Sequence, residues 1–477
     1  MKKLDSNQDK ELLLEELKRL RKENKKLASQ KDKIKAKYDK TKKELKKRRS
    51  DDNIDRRTKS ITLEPVPRHR FPLVVIQLCV LIYMRTPCGL RTVVTILEIF
   101  AELLGDTFGK VPCYNTIENW VKKLGLSVYQ DEQPCKDKKF AMVVDESIAI
   151  NGQKLLLTLA IPSEHQNRPI RHEDVTILDI SVSKGFNGDD VQGRIEEAEK
   201  SAGNAPDYII SDNGHNLTKG ITGSGHIRHA DISHSMGVIL KNVYEKQSDF
   251  VELTTLLGKK RLQYHLTDKA YLLPPNMRAI SRFMNMSSWV FWGNEMLDCY
   301  DTLPEKMQEA YAFIKDYESL LKELQAVLCA VRHVEAICKN EGFSVMTSRK
   351  CKLYVITHVL GNAHSRQARA GIGMLEYFNR EEALLTGNMS INISSDIIES
   401  SFGIYKSKKS PNKLYGVTSF VLTIPLYPKV SNESVTKTIN FKERIVNVKL
   451  KDISTWSTEH LSKNWVTERT KTLRKVS

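Results

Sequence analysis

The stretch FAMVVDESIAINGQKLLLTLAIP, residues 140–162, contains the pattern that decides the fold. An apolar run ends at Asp145, Asn151-Gly152 is a dipeptide typical of a two-residue hairpin turn, and a second apolar run follows. These features predict two antiparallel strands, with a carboxylate at the end of the first. Because an unpaired carboxylate at the end of a buried strand costs free energy, Asp145 is a candidate functional residue.

Two further strands are predicted after the hairpin. Residues 175–183 (VTILDISVS) indicate a third strand, residues 189–201 a helix, and residues 207–212 (DYIISD) a fourth strand that ends at Asp212. This order of elements resembles that of a ribonuclease-H-like core, in which the first and fourth strands are neighbours. Asp145 and Asp212 are therefore predicted to lie side by side. Because adjacent carboxylates repel one another, the arrangement indicates a divalent cation between them.

A third carboxylate is expected in SSDIIESSFGIYKSKKS, residues 394–410. This stretch has the apolar spacing of a helix, and Asp396 and Glu399 lie one turn apart beside the apolar stripe. Glu399 is the preferred ligand because its longer side chain reaches from a helix to a site between strands. Three carboxylates favour Mg²⁺, of which two ions would clamp the attacking and leaving oxygens of a phosphodiester displacement, and Mn²⁺ could substitute.

These elements resemble a DDE transposase of the bacterial insertion-sequence type, over residues 71–245 and 390–415. The resemblance rests on four stretches: YNTIENWVKKLGL as a DNA-binding helix, VVDESIAINGQKLLLTLAIP as the hairpin of the first Asp, YIISDNGHNLTKGI as the strand of the second, and IIESSFGIYK as the helix of the Glu. It implies a ribonuclease-H-like catalytic core in which Asp145, Asp212 and Glu399 form an acidic triad. It also implies Mg²⁺-dependent cleavage of transposon ends and strand transfer into target DNA.

The resemblance extends to three supporting residues. Many transposases of this broad group carry an Asp or Cys three residues before a His, soon after the second Asp, and Asp231 and His234 match. In a related bacterial group a Lys that contacts the terminal phosphate follows the Glu after six residues, and Lys406 follows Glu399 at that spacing. Two ordinary interpretations stay open: His234 as a hydrogen-bonded core residue, and Lys406 as one of several solvated lysines.

Residues 71–130 have the pattern of three helices. Residues 73–85 and 90–104 are apolar at helical spacing, and a last helix is predicted in CYNTIENWVKKLGL, residues 113–126. Trp120 belongs to the apolar stripe of this last helix and is predicted to be buried. The other face carries the candidate DNA contacts Asn115, Asn119, Lys122 and Lys123. The pattern is typical of a helix-turn-helix domain, with a three-helix scaffold that contacts no DNA as the alternative.

The chain has a net charge of +17, and the excess is concentrated at its N-terminus. Residues 1–50 contain 20 Lys and Arg against nine Asp and Glu, a net +11, and Leu or Ile recurs every seven residues from Leu13 to Ile34. This segment is predicted to be a coiled-coil helix that dimerises and contacts DNA phosphates. A single basic helix that becomes ordered on DNA is the alternative. Residues 51–70 are predicted to be a linker.

An all-helical insertion is predicted at residues 246–389, between the second Asp and the Glu. It would split the catalytic core into residues 138–245 and 390–420. In some cut-and-paste transposases such an insertion carries a Trp that stacks on a base extruded from the transposon end. Trp289 and Trp292 are the candidates here, with ordinary core aromatics as the alternative for both.

The sequence thus predicts an α/β protein in which an N-terminal coiled coil and a helix-turn-helix domain precede a ribonuclease-H-like core split by an α-helical insertion, with residues 421–477 as a basic tail. The expected partners are DNA, as transposon ends and target, and further copies of the chain in a homodimer or higher oligomer. No membrane span is expected, and eight scattered Cys suit a cytoplasmic, nucleoid-associated protein. Two other functions stay open: a transposase-derived DNA-binding regulator, and a structure-selective nuclease of the same fold.

Overall fold

A computed structural model describes residues 65–477, apart from 105–109, 148–151, 278–282, 284, 361–364, 388, 410–415, 463–464 and 477. Of residues 1–64 it describes nine positions, and the predicted heptad positions from Leu13 to Ile34 lie outside the described residues. Residues 65–477 form one compact unit. No described helix combines the length and apolarity needed to cross a lipid bilayer.

Between residue 65 and the sheet, the described residues form three helices whose positions match the predicted ones: α1 (Leu73–Arg85), α2 (Leu90–Leu104) and α3 (Tyr114–Tyr129). The apolar stripe predicted for α3 is buried, and Trp120 is 2% exposed. The edge of the Trp120 ring system packs against Phe71, with ring centroids 5.3 Å apart. Helical spacing of apolar residues therefore located this part of the core correctly.

Five strands form one mixed sheet: β1 (Phe140–Glu146), β2 (Lys154–Pro162), β3 (Thr176–Ser183), β4 (Ile209–Ser211) and β5 (Arg228–Ala230). Their order across the sheet is β3-β2-β1-β4-β5. β1 and β2 are antiparallel, as predicted from the hairpin. β1 and β4 are parallel neighbours, with Val144 opposite Ser211, which confirms the predicted adjacency of the first and fourth strands. β5 adds a further strand parallel to β4.

Helices cover both faces of the sheet, because successive strand side chains point to opposite sides. On one face, alternate residues of β1 share a core with α4 (Gly188–Ala202) and α5 (His215–Gly223). On the other face, a larger core includes α6 (Ile232–Tyr244), which begins directly after β5. β1 is consequently buried on both sides, and Asp145 is buried with it.

The segment 246–389 is helical, as predicted, and it packs against the edge strand of the sheet. It contains α7 (Ser248–Tyr264), α8 (Met286–Cys299), α9 (Glu305–Tyr311), α10 (Glu318–Glu341), α11 (Val345–Val355) and α12 (Ser365–Ala383). Glu381 of α12 is buried, accepts a hydrogen bond from the Ala230 backbone N–H at 3.2 Å, and lies 3.0 Å from His229 Nδ1. Tyr377 donates to the Ala230 carbonyl oxygen at 2.9 Å. These bonds tie the helical segment to β5.

The C-terminal residues differ from the predicted basic tail. After α13 (Asp396–Lys408) come α14 (Thr423–Val430), α15 (Glu433–Thr436), α16 (Phe441–Asn447), α17 (Leu450–His460) and α18 (Trp465–Val476). Helices α14, α16 and α17 pack against α3. Their apolar residues, such as Ile445 and Trp456, are buried there. Residues 423–460 are therefore part of the core, whereas residues 469–475 of α18 are exposed.

Candidate active site

Three parallel strands end in carboxylates at one edge of the sheet. β1, β4 and β5 run in the same direction and are paired in register. The residues that follow the last paired positions are Asp145, Asp212 and Asp231. The sheet therefore brings together the backbones of the two predicted aspartates and places a third aspartate in the same row.

Asp145 is buried, with 8% of its surface exposed. Burial raises the pKa of its carboxyl group to about 7, and the negative charge of Asp212 acts in the same direction. Each aspartate is anchored through one oxygen: Asp145 Oδ1 accepts from the Glu146 backbone N–H at 2.7 Å, and Asp212 Oδ1 from that of Gly214 at 2.8 Å. The two carboxylates thus repel one another in a partly desolvated place.

Arg228 of β5 holds the loop that carries Asp212. Its Nε donates to Ser211 Oγ at 2.8 Å, and its Nη2 donates to the Asp212 carbonyl oxygen and, at 3.0 Å, to Asn213 Oδ1. The guanidinium group therefore holds the backbone carbonyl of the second predicted ligand and the side chains of the residues on both sides of it. Sequence reasoning missed Arg228, because the short strand RHA contains no pattern that marks this contact.

Asp231 links β5 to the start of α13. Its Oδ1 accepts from the His234 backbone N–H at 2.7 Å and lies 3.0 Å from His234 Nδ1. Its Oδ2 accepts from the Ser395 backbone N–H at 2.6 Å and from the Ser395 hydroxyl at 2.9 Å. Burial alone would raise the pKa of Asp231, but the hydrogen bonds from His234 and Ser395 hold this pKa below its usual value.

His234 connects this buried carboxylate to Glu399. Its Nδ1 faces Asp231, and its Nε2 lies 3.6 Å from Glu399 Oε1. Burial opposes the charged ring, but the hydrogen bond to Asp231 and the charge of Glu399 raise the pKa of His234 to about 9. His234 is therefore protonated at neutral pH and lies between two carboxylates, which is the arrangement expected of a supporting residue.

Three contacts hold α13, the helix that carries Glu399, against other parts of the protein. The Ser395 contact holds its start, and Ser400 Oγ lies 3.0 Å from His172 Nε2 in its middle. At its end, Lys408 Nζ donates to the Thr86 carbonyl oxygen, just after α1, at 3.1 Å. These contacts join residues that are far apart in the sequence, so no local pattern predicts them. Together they set the position of the third predicted ligand relative to the sheet.

All three predicted ligands line one cleft of about 940 Å³, together with two of the predicted supporting residues. The five are Asp145, Asp212, His234, Glu399 and Lys406. Desolvation lowers the pKa of Lys406, while the charges of Asp145 and Glu399 oppose that change. Lys406 is exposed, and the charges of both carboxylates act on its pKa.

Asp396, the alternative to Glu399, has a different partner. It forms an ion pair with Lys339 of α10 at 2.7 Å, whereas the Glu399 carboxylate faces His234. This difference agrees with the choice of Glu399. Among the described side chains, however, no three His, Cys, Asp or Glu residues are already grouped closely enough to hold a metal ion. The predicted ligands surround a shared cleft without forming a closed coordination site.

The predicted DNA contacts on α3 are only partly exposed. Asn115 is exposed, but Asn119, Lys122 and Lys123 are half-buried, so the expectation of a fully open polar face is corrected. Lys122 forms an ion pair with Glu118. Desolvation lowers the pKa of Lys123, whose Nζ lies 3.4 Å from His69 Nε2. The C-terminal helices cover part of this face, and the accessible end of α3 is its N-terminal turn.

The two candidate stacking tryptophans belong to the interior of the helical segment. Trp289 is 1% exposed and packs against Phe250, with ring centroids 5.9 Å apart. Trp292 is half-buried, and its Nε1 donates to the Leu272 carbonyl oxygen at 3.2 Å. Neither indole presents an open face of the kind that base stacking needs, so the core interpretation describes both residues.

Comparisons with known proteins add no relative to this picture. No protein-family model matches the chain, and no curated protein matches it. The candidate site is therefore defined by the geometry of the chain itself: a row of strand-end aspartates, a glutamate on a fastened helix, and a protonated histidine between them.

Proposed function

We propose that the protein is a DNA transposase that cuts transposon ends and joins them to target DNA with Asp145, Asp212 and Glu399 as its acidic triad. One observation carries the proposal: these side chains come from β1, from the end of β4 and from α13, and they line the same cleft. Carboxylates gathered in this way suit cation-assisted phosphodiester cleavage. The strand order β3-β2-β1-β4-β5 supports a ribonuclease-H-like core.

Mg²⁺ fits the chemistry of these residues. Burial and the charge of Asp212 raise the pKa of Asp145, so two ionised carboxylates are unfavourable together until a cation neutralises them. Asp145, Asp212 and Glu399 would hold a pair of Mg²⁺ ions, or Mn²⁺ in their place. When bound, the ions would supply Lewis-acid chemistry that polarises a phosphate and activates an attacking oxygen.

The other polar side chains of the cleft orient and neutralise its carboxylates. Asp231 keeps His234 protonated, and the charge of His234 opposes the rise that burial causes in the pKa of Glu399. Lys406 lies close enough to sense the charges of Asp145 and Glu399, and its ammonium group is suited to a phosphate oxygen. His234 and Lys406 thereby reduce the repulsion between an acidic cleft and a phosphodiester.

DNA recognition is proposed for the basic N-terminal segment and for the helix-turn-helix formed by α1 to α3. The net +11 of residues 1–50 suits phosphate contacts, which release counterions from DNA. Asn115, exposed at the N-terminal turn of α3, is the proposed base-reading residue of that helix. Dimerisation through residues 1–50 would place two catalytic units on the two transposon ends, in a cytoplasmic, nucleoid-associated complex.

Asp145→Asn tests the proposal, because it removes one charged ligand without changing the size of the side chain. The substrate is a plasmid that carries the DNA flanking the gene, incubated with the full chain and Mg²⁺. We expect cleavage to fall by at least about 100-fold, since a cation-binding group supplies several kcal/mol of transition-state stabilisation.

Asp301→Asn is the matched control, because the Asp301 side chain is 92% exposed and lies outside the cleft. We expect it to cleave at the wild-type rate. Gel-shift assays on the same DNA should show that Asp145→Asn still binds. Wild-type cleavage by Asp145→Asn would contradict the catalytic role, and an unreactive wild-type chain would contradict the proposed function as a whole.

A further inference from the structure

The carboxylate cleft has a second wall, which comes from the helical segment. α8 contributes Ser287 and Ser288 to this wall, and α10 contributes Leu328, Val331, Arg332 and Glu335. The sequence suggested only the two tryptophans of this segment as DNA contacts, and both belong to its interior. The surface that the segment presents to the cleft is therefore a different one.

Arg332 is the basic side chain of this wall. Its guanidinium carbon lies 4.2 Å from the centre of the Phe291 ring, so the planar group is supported from one side. The residue is exposed, and among the described residues no carboxylate forms an ion pair with it. Stacking restricts the orientation of the guanidinium group while its N–H donors stay available.

The neighbouring acidic groups on this side already have partners. Glu335, one turn beyond Arg332, contacts Ser233 and senses the charge of Lys339. Lys339 also forms the ion pair with Asp396 at 2.7 Å. Lys339 is thus paired with an acidic residue of this group, whereas Arg332 lines the cleft and forms no ion pair with a described carboxylate.

A phosphodiester that enters the cleft needs cationic partners on both sides, because the cleft contains several carboxylates. Lys406 provides one from α13, on the side of the sheet. We propose that Arg332 provides the other, and that it binds a backbone phosphate of the DNA strand and holds this strand against the carboxylates. A guanidinium group can donate two parallel hydrogen bonds to one phosphate. This inference rests on the proposed function, and it assigns the helical segment a direct role in binding the substrate.

Arg332→Ala tests the inference in the full chain, with Arg349→Ala as the matched control. Arg349 is an exposed arginine of α11 outside the cleft, so both variants lose one positive charge from the same segment. The probe is a fluorescein-labelled duplex from the DNA that flanks the gene, and its affinity is measured at several salt concentrations. We expect Arg332→Ala to weaken binding about tenfold and to reduce the slope of log affinity against log salt by about 0.9, the value of one phosphate contact.

Arg332→Lys distinguishes the geometry of the contact from its charge. Lysine keeps the charge but loses the planar pair of donors, so we expect the salt slope of the wild type with reduced affinity. Equal affinities and slopes for Arg332→Ala and Arg349→Ala, with a wild-type chain that binds and cleaves this DNA, would overturn the role of Arg332 and leave the proposed function standing. A wild-type chain without affinity for the DNA would overturn both.

Discussion

Asp145 is a buried carboxylate beside a second one, so its ionised form is unfavourable in this fold. Its position at the end of a strand covered on both faces makes it buried, and the register of β1 with β4 places Asp212 beside it. Burial and the charge of Asp212 raise the pKa of the Asp145 carboxyl group to about 7. Such a pair of carboxylates does not stabilise a fold, so carboxyl groups with strongly shifted pKa values indicate a functional site.

The pair Asp231 and His234 has the opposite character, because it stabilises the fold. The pKa of His234 is raised to about 9 from 6.5, so its contribution is fully present below about pH 6.5 and is lost as the pH rises through 9. His234→Gln should lower the free energy of unfolding by about 1 to 3 kcal/mol near pH 6. The difference from the wild type should shrink above about pH 7, as urea unfolding of both proteins across this range would reveal.

Groups that His234 does not influence cancel in this comparison, so the pH dependence of the difference reports on His234 together with the carboxyl groups whose pKa its charge lowers, Asp145, Asp231 and Glu399. A difference that stays constant or increases from pH 6 to about pH 9 would contradict the proposed charge state of this residue. A low-pH limit is also expected, because the pKa of Asp231 is held below its usual value and the pair loses its stabilising effect as Asp231 becomes protonated.

Among the helices and strands, local sequence patterns predicted those whose position depends on an apolar period or on a turn dipeptide. Residues 73–85 and 90–104 are helices with the predicted bounds, and β1 and β2 pair in antiparallel fashion as predicted, while Asn151 of the predicted turn lies outside the described residues. The adjacency of Asp145 and Asp212 followed from the order of the strands. These features depend on neighbours in the sequence or on the few topologies available to a small sheet.

Long-range contacts could not be predicted in the same way. Asp231 and Ser395 are 164 positions apart, and nothing near either residue indicates that they meet. Likewise, the apolar residues of α16 and α17 pack on α3 although their segment has the composition of a basic tail. Lys122 and Lys123 are half-buried, with Glu118 and His69 as their partners, so the apolar stripe of α3 alone predicted a more exposed face than the structure has.

Gly125 shows how closely α3 is enclosed by the C-terminal residues. A Cβ at this position would lie 2.1 Å from the Leu422 carbonyl oxygen, so Gly125→Ala forces the backbones apart. We expect a loss of about 1 to 3 kcal/mol in the free energy of unfolding. The measurement is urea unfolding of the full chain followed by circular dichroism.

Gly193→Ala is the control for this prediction. Gly193 also lies within a helix, α4, but a Cβ there would have no atom within 4 Å. Alanine in that position should stabilise the protein by about 0.5 to 1 kcal/mol, because it reduces the freedom of the unfolded chain. Equal effects of the two substitutions would show that α3 and residue 422 are not in direct contact.

At the scale of the whole molecule, the parts predicted as separate domains are joined. Residues 65–477 form one compact unit, in which the C-terminal helices pack on α3 and the helical segment is bonded to β5 through Glu381. The helix proposed to bind DNA and the carboxylate cleft therefore belong to the same compact unit.

Asp145, Asp212 and Glu399 are proposed to share a divalent cation. A crystal structure of the full chain grown with Mn²⁺, with anomalous scattering used to locate the metal, tests this directly. We expect a peak in the cleft with oxygens of all three carboxylates about 2.1 Å away, and the loss of this peak in Asp145→Asn. No peak in the cleft at saturating Mn²⁺, or one unchanged by Asp145→Asn, would show that the three carboxylates do not share a cation.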